Sequence, residues 1–195
     1  MSKRGSWSRG FFLVRGAGSG PAGLGVMVRG WALAQQGQQA EGMALLRRGL
    51  AAWQVTGAEL NTPNYLAVLA EAYATVGEPK AGLPLLREAL AIVQKTRERW
   101  GEAEIYRIKG DLLGMRPWED HGEAEACFRR AIDLAGRQQA KSLALRAAIS
   151  LSRLKRGQGE REVARRVLAD VYDWFTEGFD THDLREARAL LEALS

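Results

Sequence analysis

The residues able to do chemistry are few and badly placed for it. Gly18-Ser19-Gly20-Pro21-Ala22-Gly23 fits the spacing GxGxxG and follows the apolar run Phe11-Phe12-Leu13-Val14; in a strand–turn–helix setting such a loop cradles a pyrophosphate at a helix N-terminus. Here Pro21 occupies the turn, no second strand pattern follows, and the first acid after the motif is Glu41, so the ribose-binding carboxylate has no candidate. His121 and His182 are the only histidines, each beside acids at a turn or helix start, and without a thiolate partner they make a poor zinc set. Cys127, the only cysteine, lies beside Phe128 in an apolar helical pattern, where it reads as a small buried hydrophobe. No serine or cysteine nucleophile has a histidine at a recognisable spacing. These residue types predict no catalytic site, no metal and no cofactor.

One concentration of charge could bind rather than catalyse. From Lys141 to Arg166 the chain carries Lys141, Arg146, Arg153, Lys155, Arg156, Arg161, Arg165 and Arg166 against Glu160 and Glu162 alone. Helical spacing lets Arg146, Arg153 and Arg156 share one face, near Arg107 of an earlier helix, and a guanidinium face of that kind suits an acidic peptide or an anionic surface. The same spacing also fits a solvated face partly neutralised by Glu177, Asp180 and Asp183. Trp118, in a long turn, is a further candidate contact, whereas Trp31, Trp53, Trp100 and Trp174 fall in or at the ends of helices, where burial is the ordinary role.

The bulk charge does not extend this to nucleic acid. The net charge is +5 and the pI about 9.7. Lys3, Arg4, Arg9, Arg15 and Arg29 stand in the first 30 residues without a single acid, and these five account for the whole excess of 28 basic over 23 acidic residues. The remainder is formally neutral, so a nucleic-acid surface is not expected. One cysteine fits a reducing cytoplasm, and no apolar run is long enough for a membrane span or a signal-peptide core.

What must position these groups is a repeat. Ala, Leu, Arg, Glu and Gln dominate from residue 31 onward, which predicts an all-α chain. Four segments align: GMALLRRGL from Gly42, GLPLLREAL from Gly82, AEACFRRAI from Ala124 and ARRVLADVY from Ala164. In each, a small residue is followed four positions on by Leu46, Leu86, Phe128 or Leu168, and seven on by Gly49, Ala89, Ala131 or Val171. Small residues let two helices approach, and the large residue one turn later fills the groove between them. Each segment has a first helix ahead of it: Gly30 and Leu33 before Gly37, Leu66, Leu69, Ala70 and Tyr73 before Gly77, Tyr106, Gly110 and Leu113, and Ala148 and Leu151 before Gly159. The third pair has a longer turn, residues 116–121. After Gly178, with Asp180 or Thr181 as cap, a last helix places Leu184, Ala187, Leu191 and Leu194 on a stripe expected to cover Val163, Val167, Val171 and Phe175.

The small-residue, Gly-stop and Ala-Leu pattern resembles tetratricopeptide repeats, with a period longer than the common one. As a set, RGWALAQQG (29–37), LAEAYATVGEP (69–79), ERWGEAEIYRIKGDLL (98–113), EAEACFRRAIDLA (123–135) and VYDWFTEGFDTHDLREARALLEAL (171–194) resemble the C-terminal helical repeats of large bacterial adenylate/guanylate cyclase and predicted-ATPase signalling proteins. The resemblance implies a tetratricopeptide-like superhelix of about four antiparallel helix pairs with a C-terminal capping helix. It also implies a protein-contact or regulatory sensor module that holds a protein partner or a neighbouring signalling domain in trans, without activity of its own. No cyclase or ATPase motif is matched. The expected organisation is a disordered, basic, Gly-rich tail at 1–25, departing from the family pattern as a non-native start would, and a repeat domain at 26–195. The alternative reading is a truncated remnant of such a signalling protein with no independent function.

Overall fold

Straight-chain and small residues that lose little freedom in a helix dominate this sequence, and several of its helices end beside a left-handed glycine, Gly37, Gly57, Gly77 and Gly159 among them. The computed structural model describes residues 23–57, 59–115 and 121–195. The tail expected at 1–25 therefore lies outside the described residues as far as residue 22, as do Trp118 and the GxGxxG stretch up to its final Gly23, with which the first helix begins. Among the described residues there are nine α-helices and no strand: α1 (Gly23–Gln35), α2 (Gln39–Val55), α3 (Thr62–Thr75), α4 (Pro79–Thr96), α5 (Glu102–Gly114), α6 (Gly122–Arg137), α7 (Lys141–Gly157), α8 (Arg161–Tyr172) and α9 (His182–Leu194). None is long and apolar enough to cross a membrane.

Four connections close in one way. The N–H of Gln38 donates to Leu33 O (3.0 Å), that of Glu78 to Tyr73 O (2.9 Å) and that of Glu160 to Lys155 O (2.9 Å), while Gly37, Gly77 and Gly159 hold φ of 91°, 82° and 83°. A hydrogen bond reaching five residues back across a left-handed residue satisfies carbonyls that the helix end would leave unpaired, and glycine enters that conformation without a Cβ penalty. The α6–α7 turn makes the same bond, Ala140 N–H to Ala135 O at 2.9 Å, but Gln139 takes the left-handed position at φ 54°.

The chain divides into two compact units, one ending at Gly101 and one spanning Glu102–Ser195. In the first, α1 pairs with α2 and α3 with α4, and α2 packs on α3. The α1–α2 approach is backbone against backbone: a Cβ on Gly42 would sit 2.6 Å from Ala34 N, and one on Gly30 2.8 Å from Gly42 O. Trp53 ties α2 to α3, its Nε1–H donating to Thr62 Oγ1 at 3.1 Å and its ring meeting Tyr65 edge-on at 5.1 Å.

In the second unit α5 pairs with α6 and α7 with α8, α6 packs on α7, and α9 lies against α7 and α8. The four repeat anchors Leu46, Leu86, Phe128 and Leu168 are all buried, as grooves filled by one large side chain per pair require. Gly30 lies against the Leu46 backbone and Gly110 against the Phe128 ring, and Ala70 and Ser152 stand at the corresponding sequence positions ahead of Leu86 and Leu168. All four of these small residues are buried. Helix α9 joins a core with Ala144, Leu145, Ala148, Leu168 and Val171 through Leu184, Ala187, Leu190 and Leu194, with Leu191, Val167 and Phe175 packed at its margin. The stripe anticipated through Leu191 is thus rotated towards Leu190, because a helix seated between two neighbours buries an arc wider than a single stripe. Thr181 does occupy the cap position, with extended backbone, but its side chain makes no capping hydrogen bond.

Candidate functional site

The arginines singled out by spacing belong to the second unit, on α5 and α7, and packing gives them different fates. Arg107 of α5 is buried, at 3% exposure. Its Nε donates to Glu104 Oε2 at 3.0 Å, its Nη2 to Glu104 Oε1 at 2.8 Å, and its Nη1 to Asp111. A guanidinium out of water needs this many acceptors, because desolvation of either ion alone costs several kcal/mol. Arg146 of α7 is also largely buried; its Nε donates to Asp183 Oδ2 of α9 at 2.7 Å, and its Nη1 stands 3.8 Å from Glu104 Oε1. Arg107 and Arg146 therefore converge on one carboxylate. Arg153, half-exposed further along α7, pairs with Glu186 of α9. Arg156 is exposed and makes no ion pair with a described residue.

Of the acids expected to neutralise this face, Asp183 does so at Arg146, while Glu177 and Asp180 pair with no cation among the described residues. Arg107 is met by Glu104 and Asp111 of its own helix, whereas Arg146 and Arg153 of α7 are met from outside theirs, since Glu104 lies on α5 and Asp183 and Glu186 on α9. Lys155 is met in the same way: it is buried, with Nζ 2.7 Å from Glu125 Oε2 of α6 and 3.1 Å from Glu160 Oε1. The hydrogen bond from Lys155 holds the Glu125 carboxyl below the usual carboxylate range, and the same bond raises the lysine above its ordinary value.

His182 opens α9, with Nδ1 3.6 Å from Asp183 Oδ1 and 3.6 Å from Glu186 Oε2. These three side chains form the group able to hold a metal ion among the described residues. Arg146 and Arg153 already draw on the same two carboxylates, which lowers the negative potential a dication would meet. His121, the other histidine, stands at the cap of α6, and its Nδ1 is buried without a hydrogen-bond partner. Cys127 is buried, and desolvation raises its thiol above the ordinary value, which disfavours the nucleophilic thiolate.

Two tryptophans depart from expectation. Trp100 and Trp174 are 37% and 42% exposed, because both fall in connections, Trp100 ahead of α5 and Trp174 just past α8, rather than within a helix. Trp53 is buried and Trp31 half-buried.

The sequence matches no family model and no curated protein. Solved structures do match. A kinesin light chain-like protein of nearly identical TPR-like repeats from Podosopora anserina, in two crystal structures, is 18% identical over 87% of this chain and 83% of that one, with TM-scores of 0.67 and 0.68. At that identity the likeness speaks for the backbone arrangement, and with the helix pairs and buried anchors above it establishes that this chain has a TPR-like helical repeat fold.

Proposed function

We propose that the chain is a protein-interaction or regulatory sensor module of a signalling system, acting in the cytoplasm without catalytic activity of its own. In this reading residues 26–195 form the binding module and receive a protein partner, or a neighbouring signalling domain, in trans. The observation that carries the reading is the pairing of a helical repeat fold with a charged cluster built by α5, α7 and α9, on which Arg153 and Arg156 of α7 remain reachable. Stacked helix pairs expose extended surfaces of this sort, and such surfaces recognise partners through side chains that the packing leaves free.

Within that face the four arginines divide the work. Arg107 and Arg146 hold their carboxylates in place and act as positioning residues. Arg153 and Arg156 offer the reachable positive charge, and an acidic peptide or anionic surface would take Arg153 from Glu186 and add Arg156. Charge-assisted contacts of this type give orientation and on-rate more than bulk affinity.

The test compares the full chain with its Arg153→Glu/Arg156→Glu form as bait in extract from its own cells, with bound proteins identified by mass spectrometry. A partner enriched by the native chain and lost with the double substitution, at unchanged helicity, is the expected result. Partner recovery indifferent to both changes would remove these two residues from the reading. Purified chain incubated with ATP and GTP is expected to give neither cyclic nucleotide nor hydrolysis above background, and turnover that copurifies with the chain would sink the non-catalytic assignment.

A further inference from the structure

The α8–α9 connection carries a feature that the arginine face does not explain. Trp174 and Phe179, two of the large apolar side chains left in water, stand five residues apart at 42% and 46% exposure. Phe179 rests against the Tyr172 ring at 5.9 Å. The Trp174 indole reaches back towards Gly136 at the end of α6, and the Trp174 carbonyl accepts a hydrogen bond from Lys141 Nζ at 3.0 Å. The connection is internally bonded: Trp174 N–H to Val171 O, Phe175 N–H to Tyr172 O, and Thr181 N–H to Gly178 O, with Gly178 at φ 74°. The aromatic side chains are therefore held on a fixed backbone, which lowers the ordering cost of binding.

Charge decides what such a surface fits. Elsewhere in the second unit the exposed acids have cations beside them: Glu123 with Lys109, Asp133 with Arg130 and Arg137, Glu162 with Arg165, and Glu192 with Arg188. Asp170, Asp173, Glu177 and Asp180 have none among the described residues, and residues 167–184 contain no Lys or Arg. Lys141 bonds to the segment through the Trp174 carbonyl and not through these four carboxylates. Exposed aromatic rings amid unmatched carboxylates are complementary to a chain that brings both an apolar anchor and positive charge, since cations gain from the carboxylates and from the ring faces together.

We infer that the Asp170–Asp180 segment is a docking surface for a cationic peptide segment carrying an aromatic anchor, separate from the Arg153 and Arg156 face. Trp174 and Phe179 grip the anchor, and Asp173, Glu177 and Asp180 meet the flanking Lys or Arg side chains.

The experiment measures anisotropy of three labelled peptides against the full chain: GRKRWKRG, GRKRAKRG lacking the anchor, and GEDEWEDG with inverted charge. The first is expected to bind, weakening by about tenfold or more when salt is raised from low to several hundred millimolar. Both Trp174→Ala/Phe179→Ala and Asp173→Asn/Glu177→Gln/Asp180→Asn should weaken it about tenfold or more at unchanged circular dichroism, while Arg153→Glu/Arg156→Glu should not weaken it. Equal binding of the Ala peptide, binding of the inverted peptide, no binding at all, or indifference to the loop substitutions would each overturn the inference. So would sedimentation showing that the loop substitutions convert a self-associated native chain to monomer, because the occupant would then be a second copy.

Discussion

Replacing Gly110 by Ala separates two opposing effects at one atom. Gly110 lies inside α5, where alanine is the better helix former by about 0.8–1 kcal/mol. A Cβ there, however, would stand 2.5, 2.8 and 2.9 Å from Cε1, Cδ1 and Cζ of Phe128. Carbon atoms pack at about 3.5–4.0 Å, so the ring would have to withdraw by roughly an ångström. Phe128 is 2% exposed, with nowhere to withdraw, and overpacking of this kind costs about 1–3 kcal/mol. The clash should win, leaving Gly110→Ala net destabilising by about 1 kcal/mol, and by about 2 kcal/mol at most. Phe128→Ala alone should cost about 3–5 kcal/mol. In that second background the ring is gone, so Gly110→Ala should reverse sign and stabilise by about 0.5–1 kcal/mol. Urea unfolding followed by circular dichroism on the four proteins of this cycle gives the coupling directly. If Gly110→Ala stabilised the native chain as much as the Phe128→Ala chain, the ring would not lie over Gly110 and the α5–α6 register would be wrong.

Three further outcomes follow from single positions. Ser152 is fully buried and its Oγ has no hydrogen-bond partner, so Ser152→Ala should raise stability by about 1 kcal/mol, and a loss in the same urea titration would reveal a partner for the hydroxyl. Gln139 holds the left-handed turn position that Gly37, Gly77 and Gly159 hold elsewhere; Gln139→Gly should stabilise by about 0.5–1 kcal/mol, against a destabilisation if the side-chain bond to Gly136 O outweighs the backbone term. Glu125 titrates below the usual carboxylate range in the folded chain, so its contribution is complete above that range and is lost as pH falls through the lowered value; Lys155, raised, contributes below the ordinary lysine value and loses its share as pH rises through the raised one. Glu125→Gln should therefore destabilise at neutral pH, with the gap to the native chain closing on acidification, and a gap constant with pH would contradict the pairing.

The repeat register was legible because it is written in size. Small residues at Gly42, Gly82, Ala124 and Ala164 and large ones four positions on leave few ways to bury both, and the glycines at 37, 77 and 159 mark left-handed turns through their missing Cβ. The site was less legible because charge pairing is set across helices. Asp183 was open to anticipation as a neutralising acid, but nothing along residues 141–166 announces that Glu104 also approaches Arg146, or that Glu125 takes Lys155. Trp174 was misplaced for a related reason: whether a helix runs one or two residues further decides if an aromatic ring faces a neighbour or water, and local sequence fixes that limit loosely. The equivalence of Ser152 with Gly30, Ala70 and Gly110 was open to counting back from the anchor Leu168, but its hydroxyl disguised it as a polar residue.

The Arg153–Glu186 pair gives the terminal helix a second meaning. Helix α9 is held to α7 by apolar packing and by two charged contacts, Asp183 with Arg146 and Glu186 with Arg153. An anion arriving at Arg153 competes with Glu186, so ligand and helix draw on the same cation. Linkage then requires reciprocity: whatever loosens α9 raises the affinity of Arg153 for an outside anion, and an anion bound there weakens the hold on α9 by the same factor. If an anion binds Arg153 as proposed, the attachment of α9 reports its occupancy, and amide exchange along α9 is the quantity in which that coupling would be read.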